Sequence, residues 1–402
     1  DLPSFPTRRS SDLLWGRLSD FTGRKVLYLV GVVLFLIGSA LSGAAHNMSF
    51  LIAMRAIQGL GAGCVLPLAS TIVGEMYNLE KRAKIQGYIS GVWGLSGLLG
   101  PLIGGLIVDH SSWRWVFYLN IPFGLVALIL CAIFMEDYVE RAAHFRIDVP
   151  GTVLLVIGIG LLSWGLDREV LLMIVGGIVA IGLAMPFEWR HPAPLLPMAS
   201  LRDAVSRNSL FNNLLAGAAF FGAIAYIPLF VQEVAEAAAT TAGIVLTPMI
   251  IGSTIASIVG GRLLHRISLR ALNVTGFFLL TVGFAGFALF VHAGIYAMAA
   301  AGFVAGSGMG LGMLTTLLLV QNNSPSHEFG AATAATFFAR TIGGAFGVPL
   351  MALLIGEMKG ISTIQLTAGL QRGFALGFGL VLLALIVSML GMRSSLKKSS
   401  AA

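Results

Sequence analysis

From Leu13 onward the chain is a series of long apolar runs separated by short polar or basic segments. A helix needs about 20 mostly apolar residues to cross the hydrocarbon core of a bilayer. Twelve runs approach or meet that length, near 26–45, 50–73, 85–107, 115–135, 150–166, 170–187, 209–231, 242–264, 271–291, 295–319, 330–355 and 373–391. None alternates at period two, as the strands of a membrane barrel would. The fifth and sixth are short and joined by the polar turn Leu166-Asp167-Arg168-Glu169, so together they predict a helical hairpin. The pattern therefore predicts an all-α membrane protein with about twelve spans.

Composition supports this reading. Of 402 residues, 57% are hydrophobic and 11% are charged, against about 25% charged in soluble domains, so the chain must face lipid. The net charge of +7 does not imply nucleic-acid binding, because the cations form short clusters with no basic face and no aromatic interleaving. With alternating sides, one set of loops holds seventeen Lys and Arg residues and the other holds Arg114, Arg168, Lys359 and Arg372. That bias places the rich side, and the C-terminus, in the cytoplasm of a multi-pass inner (plasma) membrane protein. Cys64 and Cys131 both lie in apolar runs and suggest neither a disulfide nor a metal site. No HExxH, GxSxG or Walker pattern is present, so neither an enzyme nor an ATP-driven pump is expected. Residues 1–12 look like translated adapter sequence, with a natural basic tail as the alternative.

Several short patterns carry more specific chemistry. Before the first complete span lies Gly16-Arg17-Leu18-Ser19-Asp20-Phe21-Thr22-Gly23-Arg24-Lys25, a tight turn with flanking cations. The second span holds Arg55-Ala56-Ile57-Gln58-Gly59-Leu60-Gly61. An arginine within a membrane helix costs roughly 2.5–3.5 kcal/mol, so it either faces the bundle interior with a partner or snorkels to the interface. The third span carries Gly91, Gly94, Gly97, Gly100, Pro101, Gly104 and Gly105, and Gly100 and Gly104 form a Gly-xxx-Gly pair suited to close helix packing. The loop Trp113-Arg114-Trp115-Val116-Phe117-Tyr118 reads first as an aromatic interface belt. Gly261–Arg270 is a degenerate second copy of Gly16–Lys25, with His265 at the aspartate position and Ser268 at the second glycine.

Taken in order, these motifs resemble the major facilitator superfamily over essentially all of 13–391. Gly16–Lys25 is similar to its cytoplasmic signature loop, Arg55–Gly63 to its fourth-helix motif, and Gly100-Pro101-x-x-Gly104-Gly105 to the helix motif of its antiporters and exporters. Eight spans separate the two signature loops where a twelve-helix member would have six. The surplus hairpin matches the fourteen-span drug:proton antiporters, and the resemblance implies that the first helix and most of the second are missing. The implied layout is a tail at 1–12, an N-terminal bundle at 13–135, a linker with two extra helices at 136–208, a C-terminal six-helix bundle at 209–391 and a cytoplasmic tail at 392–402.

The resemblance implies a secondary transporter that exports drugs or small amphiphiles by alternating access. Its energy would come from the proton gradient, with no cofactor and no metal. Export of a narrower metabolite or siderophore is the alternative, as is an inactive truncated chain. Gly16, Asp20, Gly23, Arg24 and Lys25 would form the cytoplasmic gate. Asp20 would latch on the N-terminus of the helix near Phe329, and Arg24 and Lys25 would hold the gate on the membrane surface. Arg55 and Gln58 would border a proton path. Arg340 is either a cavity residue or a structural partner of backbone carbonyls. Asn212, Asn213, Phe220, Phe221 and Tyr226 are candidate cavity walls. All eighteen acids fall at helix ends or in loops, so no carboxylate is placed for coupling. Expected partners are the bilayer and a small-molecule substrate but no nucleic acid, and the resemblance leaves room for a periplasmic adaptor protein.

Overall fold

The computed structural model describes residues 15, 18, 23–135, 148–167, 170–191, 196–237, 241–325, 328–356 and 362–391. Among them the helices are α1 (Arg24–Gly43), α2 (Met48–Met76), α3 (Leu79–His110), α4 (Trp115–Tyr118), α5 (Asn120–Phe134), α6 (Val149–Asp167) and α7 (Leu171–Arg190). They continue as α8 (Met198–Arg202), α9 (Ala204–Leu229), α10 (Ala242–Leu263), α11 (Leu269–Phe290), α12 (Ile295–Asn323), α13 (Phe329–Ile355) and α14 (Thr363–Gly391). A π-helical turn, Phe230–Val234, extends α9. Ten helical segments among the described residues are long and apolar enough to cross a membrane. The remaining two predicted spans are also helical, as α3 with 32 residues and α6 with 19.

Every predicted span coincides with helix, and the differences lie at the ends. The last one begins at Thr363, ten residues before the apolar run, because Gln365, Thr367, Gln371 and Arg372 are helical although polar. Arg372 is consequently not a loop residue. It is exposed on α14.

Two compact units can be recognised by contact. The first takes in described residues up to Met76, Leu99–Ser200 and Ser324–Phe338, and the second Tyr77–Leu98, Leu201–Asn323 and Ala339 onward. The division runs through α3 and through α13.

In the first unit, α1 and α2 are antiparallel and interlocked by small residues. A Cβ on Gly61 would meet the Gly31 carbonyl at 2.6 Å, and one on Gly31 would overlap Cys64. Cys64 is fully buried, 3.2 Å from the Leu27 carbonyl oxygen, and Cys131 on α5 is half-buried. The hairpin α6–α7 is built in the same way, since a Cβ on Gly177 would lie 2.7 Å from the Gly158 carbonyl oxygen. Lipid tails are as apolar as leucine, so contact of this kind, rather than release of water, holds membrane helices together.

The second unit is centred on α12. Gly306 and Gly310 face the backbone of α10 at Met249 and Ser253, while Gly308 and Gly312 face α11. The Gly306–Gly310 cluster thus lets one helix be gripped from two sides. Around it Phe284, Phe287 and Phe374 stack in the core, with ring centroids 5.5 and 5.4 Å apart. On the other flank, Gly217 of α9 abuts the Arg340 carbonyl, and Gly343 and Gly347 of α13 abut the Leu214 and Ala218 carbonyls.

Candidate functional site

Gly23 has φ 94°, a backbone conformation that a side chain would strain, and it leads directly into α1. The turn delivers Arg24 to the end of α1 beside the C-terminal turn of α2. There the buried Arg24 makes a forked ion pair with Glu75: Nη2 donates to Oε1 at 2.6 Å, and Nε lies 3.2 and 3.1 Å from Oε1 and Oε2. A carboxylate at the C-terminus of α2 opposes that helix's dipole, but it also lies at the N-terminus of α1, where the dipole favours it. The expected membrane-surface role for Arg24 is therefore corrected: its side chain is 4% exposed and points into the unit. Lys25 is half-buried, while Gly16 and Asp20 lie outside the described residues. The partnership with Glu75 is invisible in the sequence because 51 positions separate the two.

Arg55 and Gln58 are brought together, one helical turn apart on α2. Arg55 Nη1 donates to Gln58 Oε1 at 2.6 Å, and Gln58 Nε2 lies 3.1 Å from Ser39 Oγ. Asn120 Nδ2 donates to the same oxygen at 3.1 Å, and Ser39 Oγ donates to the Phe117 carbonyl at 2.8 Å. The guanidinium also lies 5.6 Å from the Phe117 ring centroid, within cation–π range. Four elements, α1, α2, α4 and α5, thus meet at the Ser39 hydroxyl, one bond from the arginine's partner Gln58. Gln58 can sit there because Gly38 brings the α1 backbone against it. Nearby, Arg114 stacks on Trp113 and donates to the Ala45 carbonyl at 2.8 Å, so the aromatic loop is fastened to the end of α1.

In the second unit the candidate cavity residues are engaged in packing. Asn212 is buried and donates to Ser388 Oγ at 2.8 Å, which donates to Asn273 Oδ1 at 3.1 Å. Asn273 Nδ2 in turn lies 3.0 and 3.3 Å from the hydroxyls of Thr315 and Thr316. The result is a buried polar chain through α9, α14, α11 and α12. Asn213 is buried as well. Phe220 and Phe221 stack edge to face at 6.3 Å, and Tyr226 donates to the Val348 carbonyl at 3.1 Å. Arg340 is buried on α13, with Nη1 2.9 Å from Met313 Sδ.

On α3 the close approach does not fall where the Gly-xxx-Gly pair predicts it. Among the described residues, a Cβ on Gly100 or Gly104 would meet nothing within 4 Å. The seam is instead made by Gly87, Gly91, Gly94 and Gly97, which face Ser257, Ile258, Thr254 and Ile250 of α10. The side chain of Pro101 and the surroundings of Gly105 lie outside the described set. Three carboxylates the sequence placed at helix ends or in loops are buried and accept from backbone: Asp148 caps α6 by accepting from the Gly151 N–H, Glu188 accepts from the Leu196 N–H, and Glu328 caps α8 through the N–H groups of Ala199 and Ser200. No cluster of three or more His, Cys, Asp or Glu suited to a metal ion occurs among the described residues.

Comparison with known proteins gives this geometry a family. The sequence profile of the Major Facilitator Superfamily matches residues 11–348. Multidrug transporter protein MdtP of Bacillus subtilis is 31% identical over 360 residues, which cover 86% of this chain and 66% of that protein. Multidrug resistance protein 3 of the same organism is 38% identical over 279 residues, covering 66% of this chain and 54% of its own. The chain thus spans somewhat over half of the length of these relatives. Among solved structures, the human organic anion transporter MFSD10 (TETRAN) superposes with a TM-score of 0.73 over 95% of this chain and 81% of that one. At 15% identity that match speaks for the fold alone. A helical multi-pass membrane protein whose motifs and profile agree over most of its length, this chain belongs to the Major Facilitator Superfamily.

Proposed function

We propose that the protein is a secondary active transporter that exports drugs or other small amphiphilic molecules by alternating access, coupled to proton antiport. The observation that carries the reading is the buried Arg24–Glu75 pair at the end of the signature loop, which fixes that loop's exit turn to two membrane helices. A gate needs such a rigid base. Asp20 would act on it from the loop, latching on the N-terminus of α13.

The multidrug transport and resistance for which the two Bacillus relatives are named, and the glycine-proline stretch of α3, favour export. The α6–α7 hairpin favours the fourteen-span drug:proton antiporter layout, with this hairpin between two six-helix bundles. Arg55 and Gln58 would border the proton path, and the clustered cations favour a C-terminus on the cytoplasmic side of the plasma membrane. Export of one metabolite or siderophore is the competing substrate class.

The test is transport by the purified chain in liposomes carrying an imposed pH gradient. Ethidium serves as a cationic amphiphilic probe and an iron–siderophore chelate as the contrast. Gradient-driven ethidium movement that stops on adding a protonophore and is lost in Arg24→Gln supports the proposal. Movement indifferent to both, or movement of the chelate alone, overturns it.

A further inference from the structure

The seam between α3 and α10 has a charged head and an apolar body on the same side, and no step of the proposed cycle uses it. The facing stretches of both helices lie in the second unit and run antiparallel, so the start of α3 adjoins the end of α10. Gly261 makes that approach possible: a Cβ there would lie 3.3 Å from Lys84 Cα and would overlap the Ala83 carbonyl. Lys84 and Arg262 are thereby set side by side, and both are exposed. One turn further along α3, exposed Tyr88 lies beside the Arg262 side chain and in the field of Lys84. Over residues 79–84 and 262–270 the cations outnumber a single carboxylate, that of Glu80.

Below this head the seam turns apolar. From Tyr88, exposed Val92 and Leu95 follow at i+4 and i+7 along α3. From Arg262, exposed Val259, Ile255 and Ile251 recede at i−3, i−7 and i−11 along α10. The two stripes start from the neighbouring Tyr88 and Arg262 and flank the groove between the two helices. Cations at an interface explain topology. A phenol beside them at the head of an apolar groove presents, in addition, a hydrogen-bond donor next to two positive charges.

We infer that this groove binds an anionic phospholipid, with its phosphate on Lys84, Arg262 and Tyr88 and an acyl chain along the two stripes. Basic pockets between membrane helices take anionic headgroups in this way. The site does not depend on the exported substrate, and only its assignment to the cytoplasmic leaflet rests on the orientation proposed above.

The test uses the purified full chain in nanodiscs of equal parts phosphatidylglycerol and phosphatidylcholine, with retained lipids counted by native mass spectrometry. Wild type is expected to retain phosphatidylglycerol preferentially. Lys84→Gln and Arg262→Gln should each lower that preference about fivefold, the size of one cation facing an anionic leaflet. Tyr88→Phe, which keeps shape and charge, should lower it about threefold through the lost hydrogen bond. Arg190→Gln, an exposed arginine at the end of α7, should leave it unchanged. No preference in wild type, or an equal loss in Arg190→Gln, overturns the site. Displacement of the lipid by inorganic phosphate would overturn the lipid as its occupant.

Discussion

Replacing Glu75 by glutamine tests the base of the gate with little change of shape. The carboxylate receives three close approaches from Arg24, at 2.6, 3.1 and 3.2 Å, and hydrogen bonds to a charged group contribute about 1.5–3 kcal/mol each. Removing one member of a buried pair costs about 3–5 kcal/mol. Glutamine keeps one oxygen as acceptor, and the Glu75 side chain retains 24% exposure, so water softens the loss. Both facts bring the expected cost down to about 2–3 kcal/mol. At about 2–4 °C per kcal/mol, unfolding should fall by roughly 5–10 °C. The six tryptophans allow it to be followed by intrinsic fluorescence in detergent. Arg24→Gln should behave alike, and the double variant should lose less than the sum of the two. A Glu75→Gln protein unfolding with wild type, or strictly additive losses, would refute a structural ion pair at the base of the gate.

Further predictions concern packing, caps and transport. Gly306→Val and Gly217→Val drive a side chain into the Met249 and Arg340 carbonyls and should abolish stable expression, whereas Gly104→Ala enters open space and should express normally in the same fluorescence chromatography assay. Asn273→Ala removes the middle of the buried polar chain and should cost about 1 kcal/mol in thermal scans, since interhelical hydrogen bonds in membranes are individually modest. Glu328→Gln weakens the cap on α8, so exchange of the Ala199 and Ser200 amides should speed up about tenfold by hydrogen–deuterium mass spectrometry, with the transmembrane helices unaffected. Arg55→Gln should leave unfolding within a few degrees of wild type but lower ethidium export at least tenfold in liposomes.

The spans were legible because their signal is local: a run of apolar residues long enough for the bilayer is helical wherever it packs. Gly23 was legible for the same reason, as a glycine in a tight turn. The partners were not. Glu75, Ser39 and Asn120 become partners only when separate helices are brought together, and no periodicity encodes which helix lies beside which. The glycines show the difference most plainly. Those of α3 read alike in sequence, yet Gly87 to Gly97 meet α10 while Gly100 and Gly104 meet nothing within 4 Å among the described residues. Asn212 resembles a cavity residue because it is polar in an apolar run, but its Nδ2 donates to Ser388, 176 positions away. The start of α14 escapes the hydropathy pattern because polar residues at a helix entrance resemble a loop by composition.

The contrast between the two thiols has a practical use. Cys64 is sealed between α1 and α2 behind Gly31, and Cys131 is partly open on α5. A maleimide dye applied to the folded protein should therefore modify one position, giving a natural single-site probe for spectroscopy without prior mutagenesis. Slow modification of the second thiol would then clock the parting of α1 from α2.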